Sequence, residues 1–531
     1  MLFVNALIFL GSVWAARWLW NVGSREPGLP PGPPTKPLIG NVLDFPTRAI
    51  YKRFAEWASI YGDIVSLKIG FSSVIIISSP EMVRQLLDKR SITTANRPPL
   101  HFNELVTDDH NVGFAPFGTR YKNMRRALLT LLSREACIEH LPIKQAEASQ
   151  LMYDLLKQPE AYFTHVERFS VSTIFSIVFG VRCPRHESPL VQTFFRLEEE
   201  WEDRIAPGHQ PPVDMISFLR YVPERWAPWK AICRDLRARQ QDLWIGLMQS
   251  CENRMQREAH NGSFIEHLLQ EQEKYGLTRK EVAFLGSGLI QGGSITTTAF
   301  LRTMICCLAT HTDVQARAHD EIDRIIGSGR MPTIEDVQHL PYLQAIIKEV
   351  HRFCPSVPYA LPHYSTAEET IGAYTIPKNS TIFMNIYGIY HDEDAYTQPN
   401  VFMPERFLKT EFGTTPGADN TSRRNDMHFG AGRRICPGML LGNNSTATLY
   451  LIWGFDFKVA KDPQTGLEKP TDPNEFTEGF VISCAKFPAD IRPRSEVHSS
   501  MIRAQYSSSR AFLRHFEQEL PSEDQAFVDT W

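Results

Sequence analysis

No Cys-x-x-Cys pair occurs in the 531 residues of this chain, and its nine cysteines (137, 183, 233, 251, 306, 307, 354, 436 and 484) fall at irregular intervals. An odd count without paired spacing excludes a disulfide framework and fits buried thiols in a reducing compartment. Excess positive charge is also missing. Lys and Arg number 56 against 60 Asp and Glu, a net charge of -4, so nothing supplies the basic face that nucleic acid requires. There is no internal repeat, no flavin or nicotinamide motif, and no room for such a domain after residue 495. Length alone suggests about three or four domains. The absence of repeats and of a second catalytic motif argues instead for one large domain, and an apolar content of 43% suffices for its core.

The N-terminal run lacks Lys and Arg until Arg17; Arg25, Lys36, Arg48, Lys52 and Arg53 follow it. Residues 1–22 are long and apolar enough for a bilayer-spanning anchor with Trp14, Trp18 and Trp20 at an interface, and the charge order leaves the body cytosolic. The rival, a cleaved signal peptide, lacks a basic start and a small-residue cleavage site. Residues 23–41 hold Pro30, Pro31, Pro33, Pro34 and Pro37, a stiff spacer.

Spacing predicts a helix over 50–60, a hairpin from 63–70 and 73–78, and a helix opened by Pro80. Residues 97–117 are polar, broken by Pro and Gly, and read as loop. From 140 to 275 helical runs alternate with polar breaks, without a chemical motif. Thr278 and Glu281 form a capping box, and an apolar helix runs on to about 309. Further helices are expected over 315–326 and 343–353, an extended segment over 357–363, short strands over 374–378 and 380–385, and a helix starting at Met439. The tail from 496 to 531 reads as an unassigned extension, disordered at Ser507–Ser509 and helical near Phe512. The fold class is mainly α with small β-sheets.

Four groups of residues carry chemistry. Phe429, Gly430, Gly432, Arg434, Cys436 and Gly438 place one thiol in a glycine-rich, cationic loop, the setting that keeps a thiolate ionised for a metal. Gly292 and Gly293 precede Ile295, Thr296 and Thr297 inside the long helix. Glu349 and Arg352 share a helix face, with Arg406 downstream. Tyr121 and Arg125 lie on another helix, and His363 ends a proline-rich stretch.

In this order the motifs resemble those of cytochrome P450, over roughly residues 27–495, with the closest likeness to filamentous-fungal members of secondary metabolism. The resemblance implies haem b, iron protoporphyrin IX, with Cys436 as axial thiolate and Phe429 beside the sulfur. It implies Arg434, Arg125, Tyr121 and His363 on the propionates, and Glu349, Arg352 and Arg406 as a buried ionic triad. Gly292 and Gly293 would open a groove for dioxygen, and Thr296 would hydrogen-bond it. The family's acid before that threonine is replaced by Ile295, which cannot carry a proton. Delivery would then use water on Thr296 and Thr297, an acid such as Glu478, or the substrate.

The implied activity is monooxygenation of an apolar secondary-metabolite intermediate: hydroxylation, desaturation or oxidative ring formation or coupling. Electrons would come from NADPH through a separate cytochrome P450 reductase, with cytochrome b5 as an optional second donor. The reductase would dock on basic residues such as Lys122, Arg423, Arg424 and Arg433. The expected location is the endoplasmic reticulum membrane, single-pass, with the catalytic domain (42–495) in the cytosol. Two alternatives fit the same residues: an oxygen-independent haem-thiolate isomerase or dehydratase, which Ile295 would suit, and a haem carrier or gas sensor.

Overall fold

The long apolar helix sets the layout. In the computed structural model, which describes residues 5, 9–14, 20–205, 211, 213–214 and 217–531, the helices used below are α1 (Ile50–Tyr61), α2 (His101–Thr107), α3 (Thr119–Leu131), α4 (Leu141–Lys157), α5 (Tyr162–Phe179), α6 (Pro189–Ile205), α7 (Pro228–Gln256), α8 (Phe264–Tyr275), α9 (Arg279–Thr310), α10 (Thr312–Ile325), α11 (Pro341–Phe353), α12 (Ser445–Gly454), α13 (Glu496–Leu513) and α14 (Ser522–Thr530). At the start of α9 the Thr278 side chain accepts from the Glu281 N–H, and Glu281 Oε2 accepts from the Thr278 N–H at 2.8 Å, which satisfies donors that the first turn would leave open. Beyond that cap α9 is mostly apolar and buried over 282–287 and 298–301, as a helix through the middle of a large core must be, and it opens between 291 and 297, where Gly292 is exposed.

The strands are β1 (Ile64–Ile69), β2 (Ser72–Ile77), β3 (His363–Tyr364), β4 (Glu369–Ile371), β5 (Tyr374–Ile376), β6 (Thr381–Met384), β7 (Phe455–Val459) and β8 (Ala489–Pro493). Among the described residues they make one four-stranded sheet, β1-β2-β6-β3, and two pairs, β4-β5 and β7-β8. The parallel contact of β2 with β6 places Ile75 opposite Ile382, and His363 pairs with Ile382 from the other side. Residue 363 is thus fixed against a buried strand.

Four expectations change, and a fifth lies largely outside the described residues. The anchor read over 1–22 falls largely outside the described residues; among those described, no helix is long and apolar enough to cross a membrane. The loop read over 97–117 contains α2, whose Phe102 packs on Trp229 with ring centroids 5.2 Å apart, so tertiary packing outweighs local breakers. The stretch before His363 is turns rather than extended strand. The helix after Cys436 begins at Ser445 rather than Met439, because Asn443 Oδ1 accepts from the Ser445 N–H at 2.9 Å and closes a turn first. The tail is ordered: α13 runs through Ser507–Ser509 and buries Ser499, Ile502, Tyr506, Ser509 and Leu513, a three-and-four spacing that lays one face on α4.

Candidate functional site

The cysteine loop hangs on a helical turn at residues 84–88. Asp88 Oδ1 accepts from the Gly432 N–H at 2.8 Å, and Asp88 Oδ2 takes a bond from Arg424, also 2.8 Å. Gly432 has φ +58°, and a Cβ there would collide with the Leu87 carbonyl, so this position must be glycine. Gly430 is likewise left-handed, at φ +84°. The loop closes where the Cys436 N–H donates to the Phe429 carbonyl at 2.8 Å. Cys436 is half-buried. Burial pushes its thiol up, against the Gly438 N–H and the Arg125 charge, both of which favour thiolate. The expectation of a lowered pKa is corrected on this point: the cationic setting is present, but burial outweighs it, and a bound metal ion is what would deprotonate the sulfur.

Beside the loop lies a set of basic residues, most of them buried. Arg434 donates to the carbonyls of Ala95 (2.7 Å) and Ala115 (2.6 Å), its guanidinium stacks 3.7 Å from the Tyr121 ring centroid, and its buried Nη1 has no partner. Arg97, in the residues read as loop, donates only to carbonyls: Gly113, Leu361 and Pro362, each 2.8 Å. Arg125 donates to the Ile435 carbonyl at 2.8 Å and to the Tyr121 hydroxyl at 3.3 Å. His363, 3% exposed, donates from Nδ1 to the Thr94 carbonyl. Burial draws Arg434 down to about 10. Burial, and then repulsion from Arg434, draws Arg97 down to about 9, and burial with the Arg97 charge draws His363 down to about 3. No carboxylate of the described residues answers Arg97 or Arg434. A buried cation left with carbonyls alone is costly, and such a cluster fits the anionic edge of a ligand.

The structure therefore brings Arg434, Arg125, Tyr121 and His363 together with the cysteine loop, and adds Arg97, which sequence reasoning missed. Its one signal was an arginine directly before Pro98-Pro99. Tyr121 departs from its expected use, because its hydroxyl donates to the Arg433 carbonyl at 3.1 Å.

On α9 the two glycines divide the work. A Cβ at Gly293 would lie 2.9 Å from Ile174 of α5, so this glycine serves close helix packing, whereas a Cβ at Gly292 would meet nothing within 4 Å. Thr296 Oγ1 donates back to the Gly292 carbonyl at 2.7 Å, the bond that bends a helix locally. Thr297 is half-buried, and Ile295 packs on the apolar cluster that includes Ile174 and Leu289. Glu478 is exposed and accepts from the Ala49 N–H at the start of α1, 3.0 Å, so it is not the buried acid that Ile295 displaces.

Beneath the loop, Glu349 takes two bonds from Arg352, 2.7 and 2.8 Å, and one from Arg406, 3.2 Å. Burial opposes the charges on both arginines. The paired bonds carry Arg352 above its ordinary value, while Arg406 with its single bond stays below. Arg352 also donates to the Tyr390 carbonyl (2.9 Å), and the Tyr390 hydroxyl meets His428 Nδ1 at 3.2 Å. The triad is thereby coupled to the residue beside Phe429. Of the basic residues read as a docking face, Lys122 and Arg433 are exposed. Arg424 pairs with Asp88 and Asp426, and Arg423 lies over the Tyr396 ring, so those two are spent inside the fold.

The family described as Cytochrome P450 matches residues 30–481. A cytochrome P450 monooxygenase of Armillaria gallica is 44% identical over 94% of this chain and 96% of its own length. The cytochrome P450 monooxygenase yanC of Aspergillus niger is 33% identical over 93% and 95%. A solved zebra fish cytochrome P450 structure with progesterone superposes with a TM-score of 0.68 at 23% identity, covering 84% of this chain and 99% of that one.

Proposed function

This chain belongs to the cytochrome P450 family, an oxidoreductase family whose haem is held by a cysteine thiolate, and from that premise we propose that it oxidises an apolar secondary-metabolite intermediate with dioxygen and electrons passed from NADPH by a separate reductase. Hydroxylation, desaturation and oxidative ring formation or coupling are the reactions in this reading. Cys436 would hold the iron. Arg97, Arg125 and Arg434 would hold the propionates, with His363 joining them once their charge favours its protonation. Phe429 would pack by the sulfur, and Gly292 and Thr296 would border the site from α9. The membrane of the endoplasmic reticulum, reached through residues 1–22, is part of the same proposal. One observation carries the reading: buried Arg97 and Arg434 beside the cysteine loop have carbonyl partners and no carboxylate.

The haem supplies the activation of dioxygen; the residues supply placement. Gly432 and Asp88 hold the loop so that the Cys436 sulfur is fixed, and the Gly438 N–H bears on that sulfur. Thr296 keeps its hydroxyl proton on the Gly292 carbonyl and can turn it toward a bound ligand. The test is the reduced, carbon monoxide-treated spectrum of purified protein. Wild type should show the red-shifted Soret band of thiolate ligation and Cys436→Ser should lose it. Absence of the band in wild type, or its survival in the variant, would overturn the assignment.

A further inference from the structure

Above α9 a second buried polar system runs from a backbone amide to a carboxyl. The Gly113 N–H can only donate, and it meets Asn111 Oδ1 at 2.9 Å. That contact orients the Asn111 amide, whose Nδ2 donates to Gln291 Oε1 at 2.9 Å. Gln291 is oriented in turn, and its Nε2 donates to Glu198 Oε1 at 2.7 Å. Each amide has one arrangement that satisfies the group before it. The chain therefore ends by presenting a donor to Glu198 Oε1, so that a protonated Glu198 carries its proton on the other oxygen.

Glu198 sits on α6 and is 4% exposed. Among the described residues no cation acts on it; burial pushes it up to about 8, against the Gln291 bond and with the Glu202 charge. Burial here favours the neutral carboxylic acid, a hydrogen-bond donor, over the carboxylate. Its position is specific. Gln291 is the residue before Gly292, whose missing side chain faces open space, and stands one turn before Ile295. Asn111 belongs to the segment whose Gly113 carbonyl accepts from Arg97. The acid thus stands in the wall between α6, α9 and residues 111–114, next to the α9 groove.

We propose that Glu198 is the polar anchor for substrate in this pocket: its O–H, oriented by Gln291 and Asn111, donates to an acceptor oxygen, carbonyl, ether or hydroxyl, of an otherwise apolar molecule. This rests on the reading of the pocket given above. The substrate class narrows to neutral molecules with an oxygen acceptor placed away from the carbon attacked. Gln291 and Asn111 are positioning residues.

The test uses haem-loaded full chain and probe pairs of equal shape: acetophenone with α-methylstyrene, and 2-acetylnaphthalene with 2-isopropenylnaphthalene. Calorimetry at pH 7 should give tighter binding of at least one ketone than of its alkene by about ten-fold. Glu198→Leu should bring the ratio near one, and Gln291→Leu should reduce it. Should Glu198→Leu fail to fold, infrared spectra decide. Wild type should show a protonated-carboxyl stretch that shifts with the ketone, stays with the alkene and is missing from Glu198→Gln. Equal binding within both pairs, no binding of either ketone, a ratio surviving in Glu198→Leu, or no such stretch overturns the proposal. So does tighter binding of 2-(2-naphthyl)ethylamine with loss of the stretch, which would make Glu198 a carboxylate partner for amines. The carbon monoxide band of the same preparation separates the failures: band present with a ratio of one refutes the anchor alone, and band absent refutes the underlying reading.

Discussion

Two groups of buried arginines are alike in burial and opposite in what answers them. Arg168, Arg182 and Arg254 are 1%, 3% and 1% exposed, and each meets carboxylates. Glu147 pairs with Arg168 and, at 2.9 Å, with Arg182; Arg168 reaches Asp154 at 3.1 Å. The C-terminal extension supplies Glu517 to Arg182, and Glu519 to Arg254 at 2.9 Å, beside Glu266 at 3.0 Å. Burial opposes the charges on Arg182 and Arg254, yet these partners hold both above their ordinary value. Arg97 and Arg434, 6% and 8% exposed, fall below theirs. The first group is complete within the chain and braces its end onto α4 and α7. The second has only carbonyl partners among the described residues, which the proposed haem propionates would complete. Burial alone marks neither group as functional; the missing counter-charge does.

The largest expected effect is in the completed group. Glu147→Gln removes the carboxylate shared by Arg168 and Arg182 and leaves each buried cation a single carboxylate partner, Asp154 and Glu517. It should cost roughly 3–5 kcal/mol, read as a lowered urea midpoint at unchanged slope, and by the same amount in haem-free and haem-loaded protein. Arg434→Met should part the two forms. Without haem the variant should be no less stable than wild type, because a poorly compensated buried charge has gone. With haem it should release the cofactor at least about ten-fold faster, or ~1.4 kcal/mol, read as transfer to apomyoglobin. Equal destabilisation in both forms would place Arg434 with the structural arginines.

How much of this was legible in sequence follows from the same contrast. The cysteine loop and the triad were legible because their chemistry needs fixed spacings: Gly432 cannot carry a side chain against Leu87, and Glu349 must stand three residues from Arg352 to be held twice. Arg97 was not legible, since a single arginine in a proline-broken stretch looks solvated until its carbonyl partners at 113, 361 and 362 arrive from distant parts of the chain. Glu198 was hidden more deeply. It opens a run of acids on α6, Glu198, Glu199, Glu200, Glu202 and Asp203, and only packing against α9 singles out the one without water. The tail misled for the converse reason: three serines in a row suggest disorder, yet Ser507 and Ser508 sit on the exposed face of α13 and only Ser509 joins the buried face that packs on α4.

The smallest effect tests the field of the incomplete cluster. His363 holds no charge in the fold, where burial and the Arg97 charge depress it to about 3, while an unfolded histidine titrates near 6.5, roughly the ordinary value. Between those values the unfolded chain binds the extra proton, so stability falls as pH drops from about 6.5 toward about 3, by at most ~1.4 kcal/mol per pH unit from this one group. Propionates on Arg97 and Arg434 would offset the repulsive field and raise the folded value. Haem-loaded protein should therefore lose less stability over the same interval. His363→Gln, which retains a donor for the Thr94 carbonyl, should flatten the slope of the haem-free form more than that of the loaded form. Urea midpoints measured from about pH 6.5 to 4.5 decide it: equal flattening in both forms would mean that His363 responds to burial alone and that no anion enters its surroundings.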